Sequence, residues 1–466
     1  MHVRALNSWI RTPLLLMASV EIAILYSSLY IAGYLMFGSI DESQRIVGPI
    51  APKAALLASL NLATLIAMGL YQFHQRLYFS EAALRVLVGL SAGSLATAIA
   101  FYAFPSLSID RDIATVAFGY SLIFVLGVRY YFVRTVDDNV FRRRTIIYGA
   151  GERAASLTDF RRRADRRGFK IVGRMAAPGD TIVGDRSDVL ITDTHSITEY
   201  ALKKKAEEIV IAMDERRGNL PVRELLDARL HGIDVIDLLE FLERESGKIR
   251  VDLVNPGWLI FSPGFRISRF RRFSERAVDL IVSAVLIAVT WPIMLLVALA
   301  IKLEDGFSAP VFYRQFRVGQ GGAPFEVLKF RSMSVDAEAD GKAVWAEKND
   351  SRITRVGSFL RKSRIDELPQ AFNVLRGQMS LVGPRPERPE FVRDLEEQIP
   401  YYSERHAVKP GVTGWAQLRY SYGASEEDAL EKLQYDLYYV KNQSLMLDIM
   451  IILQTVEVVL WGKGAR

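Results

Sequence analysis

Two adjacent carboxylates, Asp366 and Glu367, stand in the stretch SRIDELPQ, with Arg361 and Arg364 just upstream and Pro369 just after. Neighbours i and i+1 do not share a helix face, so the pair can divide labour. One acid can react while the other meets a metal or a hydrogen bond. A plainer role is open to the same residues. Asp366 can cap a helix through Leu375, with Pro369 in the first turn, where its missing N–H does no harm, and Glu367 left on the surface. The orphan N–H groups of such a helix start would also favour a phosphate. The octapeptide permits both roles.

Its surroundings favour chemistry. FYRQFRVGQGG (312–322) and KFRSM (329–333) put basic residues, among them Lys329 and Arg331, on two expected strands and a glycine turn. SLVGPRPE (380–387) presents Arg385 on a Gly-Pro-Arg-Pro turn, and KPGVTGWAQLR (409–419) ends a second glycine-rich loop in Arg419. Arginine forks bind phosphate bidentately. Several arginines on rigid turns around one acid pair describe a pyrophosphate pocket.

The elements that must position these residues are of mixed character. Half of the 466 residues are hydrophobic, and the formal charge is +6. Length suggests about two to four domains. Basic residues crowd beside apolar runs, which fits an anionic membrane surface or phosphate substrates and not nucleic acid. There is no cysteine, so disulfides, thiolate nucleophiles and Cys-based zinc sites are excluded, and the five histidines lack metal-ligand spacing.

Leu14–Phe37, Ala54–Leu70, Ala82–Phe104 and Ile113–Phe132 are apolar runs long enough, or nearly so, to span a bilayer. The first is too long for a cleaved signal peptide. Arg4, Arg11, Arg76, Arg134 and 142–144 lie in alternate loops, and Arg129 stands near the end of the fourth run. The positive-inside rule then places the N-terminus, the middle loop and everything after Phe132 in the cytoplasm. Glu21, inside the first run, is expected to face the other helices.

After the fourth run, Thr145–Tyr148 reads as a strand, and Gly149, Gly151 and Ala154 match the G-x-G-x-x-A turn of a dinucleotide fold. Further strands are expected at Phe169–Met175, Glu208–Met213 and Ile233–Leu238, giving a small α/β domain. Its second strand ends in Arg174–Met175–Ala176 and lacks the acid that would grip a ribose. The expectation is a Rossmann-like domain with an empty or non-dinucleotide site. Tyr200 and Lys204 mimic a Tyr-x-x-x-Lys pair but follow the glycine turn too closely for a dehydrogenase.

A basic stretch (Arg266, Arg269, Arg271, Arg272, Arg276) leads into apolar 277–301, broken by Asp279 and Pro292, with Lys302, Arg314, Arg317 and Lys329 beyond. Positive charge on both flanks and a mid-segment proline favour a helix that enters, bends and leaves on one side. Leu445–Trp461 is apolar with interspersed acids, either a core helix or an interfacial one.

The region from about Ser274 to Arg466, through RQFRVG, KFRSM, SRIDELPQAFNVLRGQMSLVGPRPE, KPGVTGWAQ and YDLYYVKNQSLMLDI, resembles the bacterial sugar transferase family, the monotopic phosphoglycosyl transferases. The whole chain resembles the large polyprenyl glycosylphosphotransferases that initiate exopolysaccharide, capsule or O-antigen synthesis. The resemblance implies a membrane protein, α plus α/β: a four-helix transmembrane domain (1–134), a Rossmann-like, CoA-binding-like domain (142–262), and a catalytic domain (270–466) with a re-entrant, proline-kinked helix (277–301). The family breaks that helix at a proline after a serine; here the proline is kept and Trp291 precedes it.

It implies that Asp366 attacks the sugar-bearing phosphate of a UDP-sugar, UMP leaves, and undecaprenyl phosphate takes the sugar phosphate from the aspartyl enzyme. Glu367 would assist. Magnesium is implied, held by Asp366 and Glu367. Arg361 and Arg385 match phosphate-contacting positions and Arg419 is a further candidate; Lys329 and Arg331 are expected in the pocket. The implied setting is the bacterial inner membrane, among its lipids, with the site on the cytoplasmic face and the chain a homodimer. The larger members point to glucose or galactose. Two alternatives stand beside this: a membrane-bound nucleotide-sugar dehydratase or epimerase, and a non-catalytic scaffold of polysaccharide assembly. The first needs NAD(P) and a well-placed Tyr-x-x-x-Lys; the second would lack the acids and arginines present here.

Overall fold

Apolar runs of about twenty residues can satisfy every backbone group internally only as helices, and four such helices open the chain: α1 (Thr12–Phe37), α2 (Ile50–Ala67), α3 (Phe79–Ala103) and α4 (Arg111–Thr135). The computed structural model describes residues 2–5, 8–71, 79–135, 142–158, 168–183, 189–191, 196–216, 218–254, 256–262, 264–265, 269–334, 352–420, 423 and 425–461. Arg76 and Arg266, used above to orient the loops, lie outside them. The chain divides into two units, one of Met1–Ala5 with Trp9–Val254, the other of Leu6–Ser8 with Asn255–Arg466.

In the first unit α1 packs on α2 and α4, and α3 on α2 and α4. Leu29, Ala32, Ala54, Leu57, Ile113 and Ala117 fill one seam. Glu21 faces this interior, fully buried. Its carboxylate takes a fork from Arg129, Nε to Oε1 at 2.6 Å and Nη2 to Oε2 at 2.9 Å, and a hydrogen bond from the Tyr71 hydroxyl. Arg129 Nη1 also donates to the Leu70 carbonyl at 2.6 Å. Burial of a charge requires such a partner, and Glu21 here ties α1 to α4 and to the end of α2.

The same unit holds a five-stranded parallel sheet of β1 (Arg143–Tyr148), β2 (Phe169–Ala176), β3 (Val189–Ile191), β4 (Glu208–Ile211) and β5 (Asp234–Asp237), in the order β3-β2-β1-β4-β5. Side chains alternate across a strand. Ile146 and Tyr148 therefore join Ile197, Tyr200, Leu225 and Ala228 on one face, while Ile147 joins Leu157, Leu238, Phe241 and Leu242 on the other. Both faces are covered, as parallel sheets require. Tyr200 is a core residue. The short strand β3 was not anticipated.

In the second unit, α5 (Arg269–Asp305) runs for 37 residues with Pro292 inside it. At 1.5 Å per residue it is about 56 Å long, against a hydrocarbon core of about 30 Å. Met294, Val297 and Ile301 pack with Phe330 and Leu360. Ile281, Val285, Val289, Leu295, Leu296 and Leu299 are exposed. With α1–α4 it makes five helices, among the described residues, long and apolar enough to cross a membrane, and the chain is a membrane protein. Arg276 donates to the carbonyls of Val374 and Leu375 at 2.6 Å, and Asp279 accepts from Ser380 Oγ and Leu381 N at 3.0 and 2.9 Å. The long helix thus grips the segments on either side of Gly377.

Those segments complete the unit. The antiparallel hairpin β6 (Phe312–Val318) and β7 (Pro324–Phe330) is followed by α6 (Arg355–Ser363) and α7 (Gln370–Arg376). Two short parallel strands, β8 (Ser380–Val382) and β9 (Gly411–Thr413), then pair. The helix Leu445–Trp461 buries Leu447 and Ile451 and exposes Leu445, Met446, Ile449 and Val456, so it is a core helix on one side and apolar surface on the other.

Candidate active site

The acid pair sits where α6 ends. Thr354 opens that helix, its hydroxyl accepting from Gly357 N at 2.9 Å, and the Glu304 carboxylate takes the amides of Arg355 and Val356. Arg364 closes it in the left-handed conformation, φ +59°, and turns the chain. Ile365–Glu367 then form one turn of 3-10 helix. The residue that caps α7 is Pro369, with no side-chain capping bond. Asp366 is therefore not the helix cap that the octapeptide allowed. The left-handed Arg364 inserts a separate turn and carries the acids away from the helix start.

The two carboxylates have different company. Glu367 Oε1 meets Lys329 Nζ at 3.1 Å, Arg385 Nη2 at 3.4 Å and Arg364 Nη1 at 3.8 Å. Burial would raise its pKa, but Lys329, Arg385 and Arg364 outweigh that and hold it at about 2. Asp366 is 9% exposed, and its Oδ1 is buried with no hydrogen-bond partner among the described residues. Burial and the charge of Glu367 push its pKa up, against Lys329, Arg364 and Arg361. Burial lowers that of Lys329, against the pull of Glu367. The result is one ionised, charge-balanced acid beside a second whose Oδ1 lacks a hydrogen-bond partner among the described residues.

Of the seven sequence candidates, Asp366, Glu367, Lys329 and Arg385 meet, and Arg361 bears on Asp366 electrostatically. Arg331 and Arg419 are not among the strongest electrostatic partners of either acid. Arg419 lies 4.2 Å over the Trp415 ring, and Arg331 Nη1 is buried without a hydrogen-bond partner among the described residues. Arg364 is the residue the sequence reasoning passed over. It stood in the same octapeptide, but its left-handed backbone and its reach to Glu367 leave no local signature.

Arg385 is held by a rigid frame. Gly383 N donates to Thr413 O and Gly411 N to Pro384 O, both at 2.9 Å. A Cβ on Gly383 would lie 2.3 Å from Lys409 O, and one on Gly411 only 2.1 Å from Gly383 N. The two glycine-rich loops are pressed backbone to backbone, which only glycine allows.

A divalent cation of the magnesium type takes few protein carboxylates and relies on substrate phosphates and water. Among the described residues no group of three or more His, Asp or Glu could hold a metal. Asp366, met by no cation within salt-bridge distance among the described residues, suits a substrate-completed site, whereas Glu367 Oε1 is already met by cations.

Residues 270–462 match the family described as Bacterial sugar transferase. The chain is 42% identical over 247 residues to a UDP-N-acetylgalactosamine-undecaprenyl-phosphate N-acetylgalactosaminephosphotransferase of Aeromonas hydrophila, covering 52% of this chain and 56% of that protein. It is 34% identical to a UDP-glucose:undecaprenyl-phosphate glucose-1-phosphate transferase of Xanthomonas campestris pv. campestris, covering 69% of this chain and 68% of that one. A protein of the same description from Klebsiella pneumoniae is 36% identical, with 70% and 69% covered. The match thus spans little more than half of the Aeromonas protein's length and about two thirds of the other two.

Proposed function

Because this chain belongs to the bacterial sugar transferase family and is a transferase, we propose that it moves a hexose-1-phosphate from a UDP-sugar to undecaprenyl phosphate in two steps. In the first, a carboxylate oxygen of Asp366 attacks the phosphorus that carries the sugar. The bond from that phosphorus to the bridging oxygen breaks, and UMP leaves with the electron pair. In the second, an oxygen of the lipid phosphate attacks the same phosphorus, and the Asp366 carboxylate is regenerated. Covalent catalysis splits one difficult transfer into two.

The observation that carries this reading is the largely buried Asp366, its Oδ1 without a hydrogen-bond partner among the described residues, beside a Glu367 that Lys329, Arg364 and Arg385 meet. Anion must attack anion, and Lys329, Arg361, Arg364 and Arg385 supply the screening charge. Glu367 orients Lys329 and Arg385. Magnesium, when bound, would be held by Asp366 and the substrate's phosphates and would add to that screening.

The proposed architecture is a four-helix transmembrane bundle (1–134), a Rossmann-like domain (142–262) and a catalytic domain (270–466) on the cytoplasmic face of the inner membrane. Basic residues at both ends of 277–301 and Pro292 within it support the re-entrant form. At that depth a soluble nucleotide and a lipid phosphate can reach one site.

The test is the intact mass of purified protein given UDP-sugar and magnesium without lipid acceptor. One hexose phosphate should add to the wild type and none to Asp366→Asn, and undecaprenyl phosphate should discharge it. An adduct that persists on Asp366→Asn contradicts the assignment.

A further inference from the structure

Behind Arg385 lies a second, fully internal ion pair. Arg405 is 5% exposed and Asp436 2%, and Arg405 Nη2 stands 2.8 Å from Asp436 Oδ2. The same Nη2 donates to the backbone carbonyl of Arg385 at 2.9 Å, and Nη1 donates to the Tyr402 hydroxyl at 2.7 Å. A buried guanidinium with several donors in a fixed fork is a stiff strut. Its carbonyl acceptor belongs to the residue whose side chain meets Glu367. Val318 N and Arg317 Nη1 hold the far side of the turn through Glu387 O and Pro386 O, at 2.9 and 3.3 Å.

We infer that Arg405, charge-paired with Asp436, is a positioning residue that fixes the backbone of Arg385 through its bond to the Arg385 carbonyl, and so the phosphate-facing guanidinium. This rests on the reaction proposed above. The experiment is a double-mutant cycle of Arg405→Lys with Arg385→Ala, read by UMP release and by hydrogen exchange of the 383–387 segment. Arg405→Lys alone should lower kcat/KM for the UDP-sugar about tenfold and speed exchange in that segment. With Arg385 already removed, it should cost less than about twofold, because groups acting through one another are not additive. Equal losses in both backgrounds, or unchanged exchange, would overturn the inference. If Arg405→Lys does not fold, Asp436→Asn takes its place in the cycle. A wild type that releases no UMP would sink the reaction, while the exchange result would still judge the strut.

A separate observation concerns the glycine turn after β1. In a dinucleotide fold its amides and its glycines receive a pyrophosphate. Here Ala150 N donates to Asp180 Oδ2 at 2.8 Å, and Glu152 N and Arg153 N donate to Asp214 Oδ2 and Oδ1 at 3.1 and 2.9 Å. Ala177 N also reaches Asp180 Oδ2, at 3.0 Å. A Cβ on Gly151 would lie 1.8 Å from Asp214 Oδ2. That glycine makes room for the chain's own carboxylate.

We propose that Asp214 and Asp180 are the resident anions of this turn and that the sheet domain serves the protein without a dinucleotide. The measurement is hydrogen exchange of residues 149–154 in the full chain in nanodiscs, with and without millimolar NAD or ADP. The wild-type segment should be protected alone and unchanged by either nucleotide. Asp214→Ala should speed exchange at Glu152 and Arg153, and Asp214→Asn, which keeps one acceptor oxygen, should do so less. Saturable protection of the wild-type segment by a nucleotide would overturn the proposal. So would an Asp214→Ala protein whose segment stays as protected as before.

Discussion

Lys329 Nζ stands 3.1 Å from Glu367 Oε1, and Arg385 Nη2 reaches the same oxygen at 3.4 Å. A strand of the hairpin and a proline-bounded turn are thereby joined through the acid that neighbours Asp366. Lys329→Met removes one charge-assisted contact, worth roughly 1.5–3 kcal/mol. It should lower kcat/KM by about 10- to 150-fold, measured as UMP release over a range of UDP-sugar concentrations.

The pH profile carries a sign. Asp366 must be ionised to attack, and burial with the Glu367 charge raises its pKa above the ordinary carboxylate range. Activity should fall on the acid side at a pH above about 4, the usual Asp value. Glu367→Gln removes a neighbouring negative charge and leaves Lys329, Arg364 and Arg361 to act on Asp366. Both changes favour the carboxylate, so the acid limb of the residual activity should move to lower pH. A limb that stays or rises would show that Asp366 is not the titrating group.

In the helical part of the first unit, Glu21 and Arg129 form a fully desolvated fork. Removing one partner strands the other charge and typically costs about 3–5 kcal/mol. Arg129→Met should lower the thermal unfolding midpoint in detergent well below that of wild type. The double variant Glu21→Gln, Arg129→Met should regain part of the loss.

Gly383→Ala tests the frame behind Arg385. Its new Cβ would meet Lys409 O and Gly411 N, both backbone atoms. The two loops must then part, so thermal stability and UMP release should fall together. Gly257→Ala, whose Cβ meets a ring carbon of Phe261 at 4.0 Å, is the control and should change neither.

Much of this architecture is written locally. The apolar runs are long enough that their helices need no tertiary information, and the short unbroken apolar runs in 145–148 and 208–211 mark strands buried on both faces. The acid pair was legible as chemistry but not as geometry. Its turn depends on a left-handed Arg364, a backbone state that arginine rarely adopts and that no residue type announces. The partners of the glycine turn were hidden for another reason. Asp180 and Asp214 lie 30 and 61 residues from the amides they accept, so only the folded sheet brings them together. Arg405 and Asp436 likewise read as ordinary charges on loop and helix until packing buries them.

The most direct test of the central claim is UMP release from a panel of UDP-sugars by purified protein in nanodiscs with magnesium and undecaprenyl phosphate. It should be run on the wild type and on Asp366→Asn. The prediction is release that depends on one sugar and on the lipid, and that vanishes in Asp366→Asn. Release that survives the substitution would mean that Asp366 is not the nucleophile.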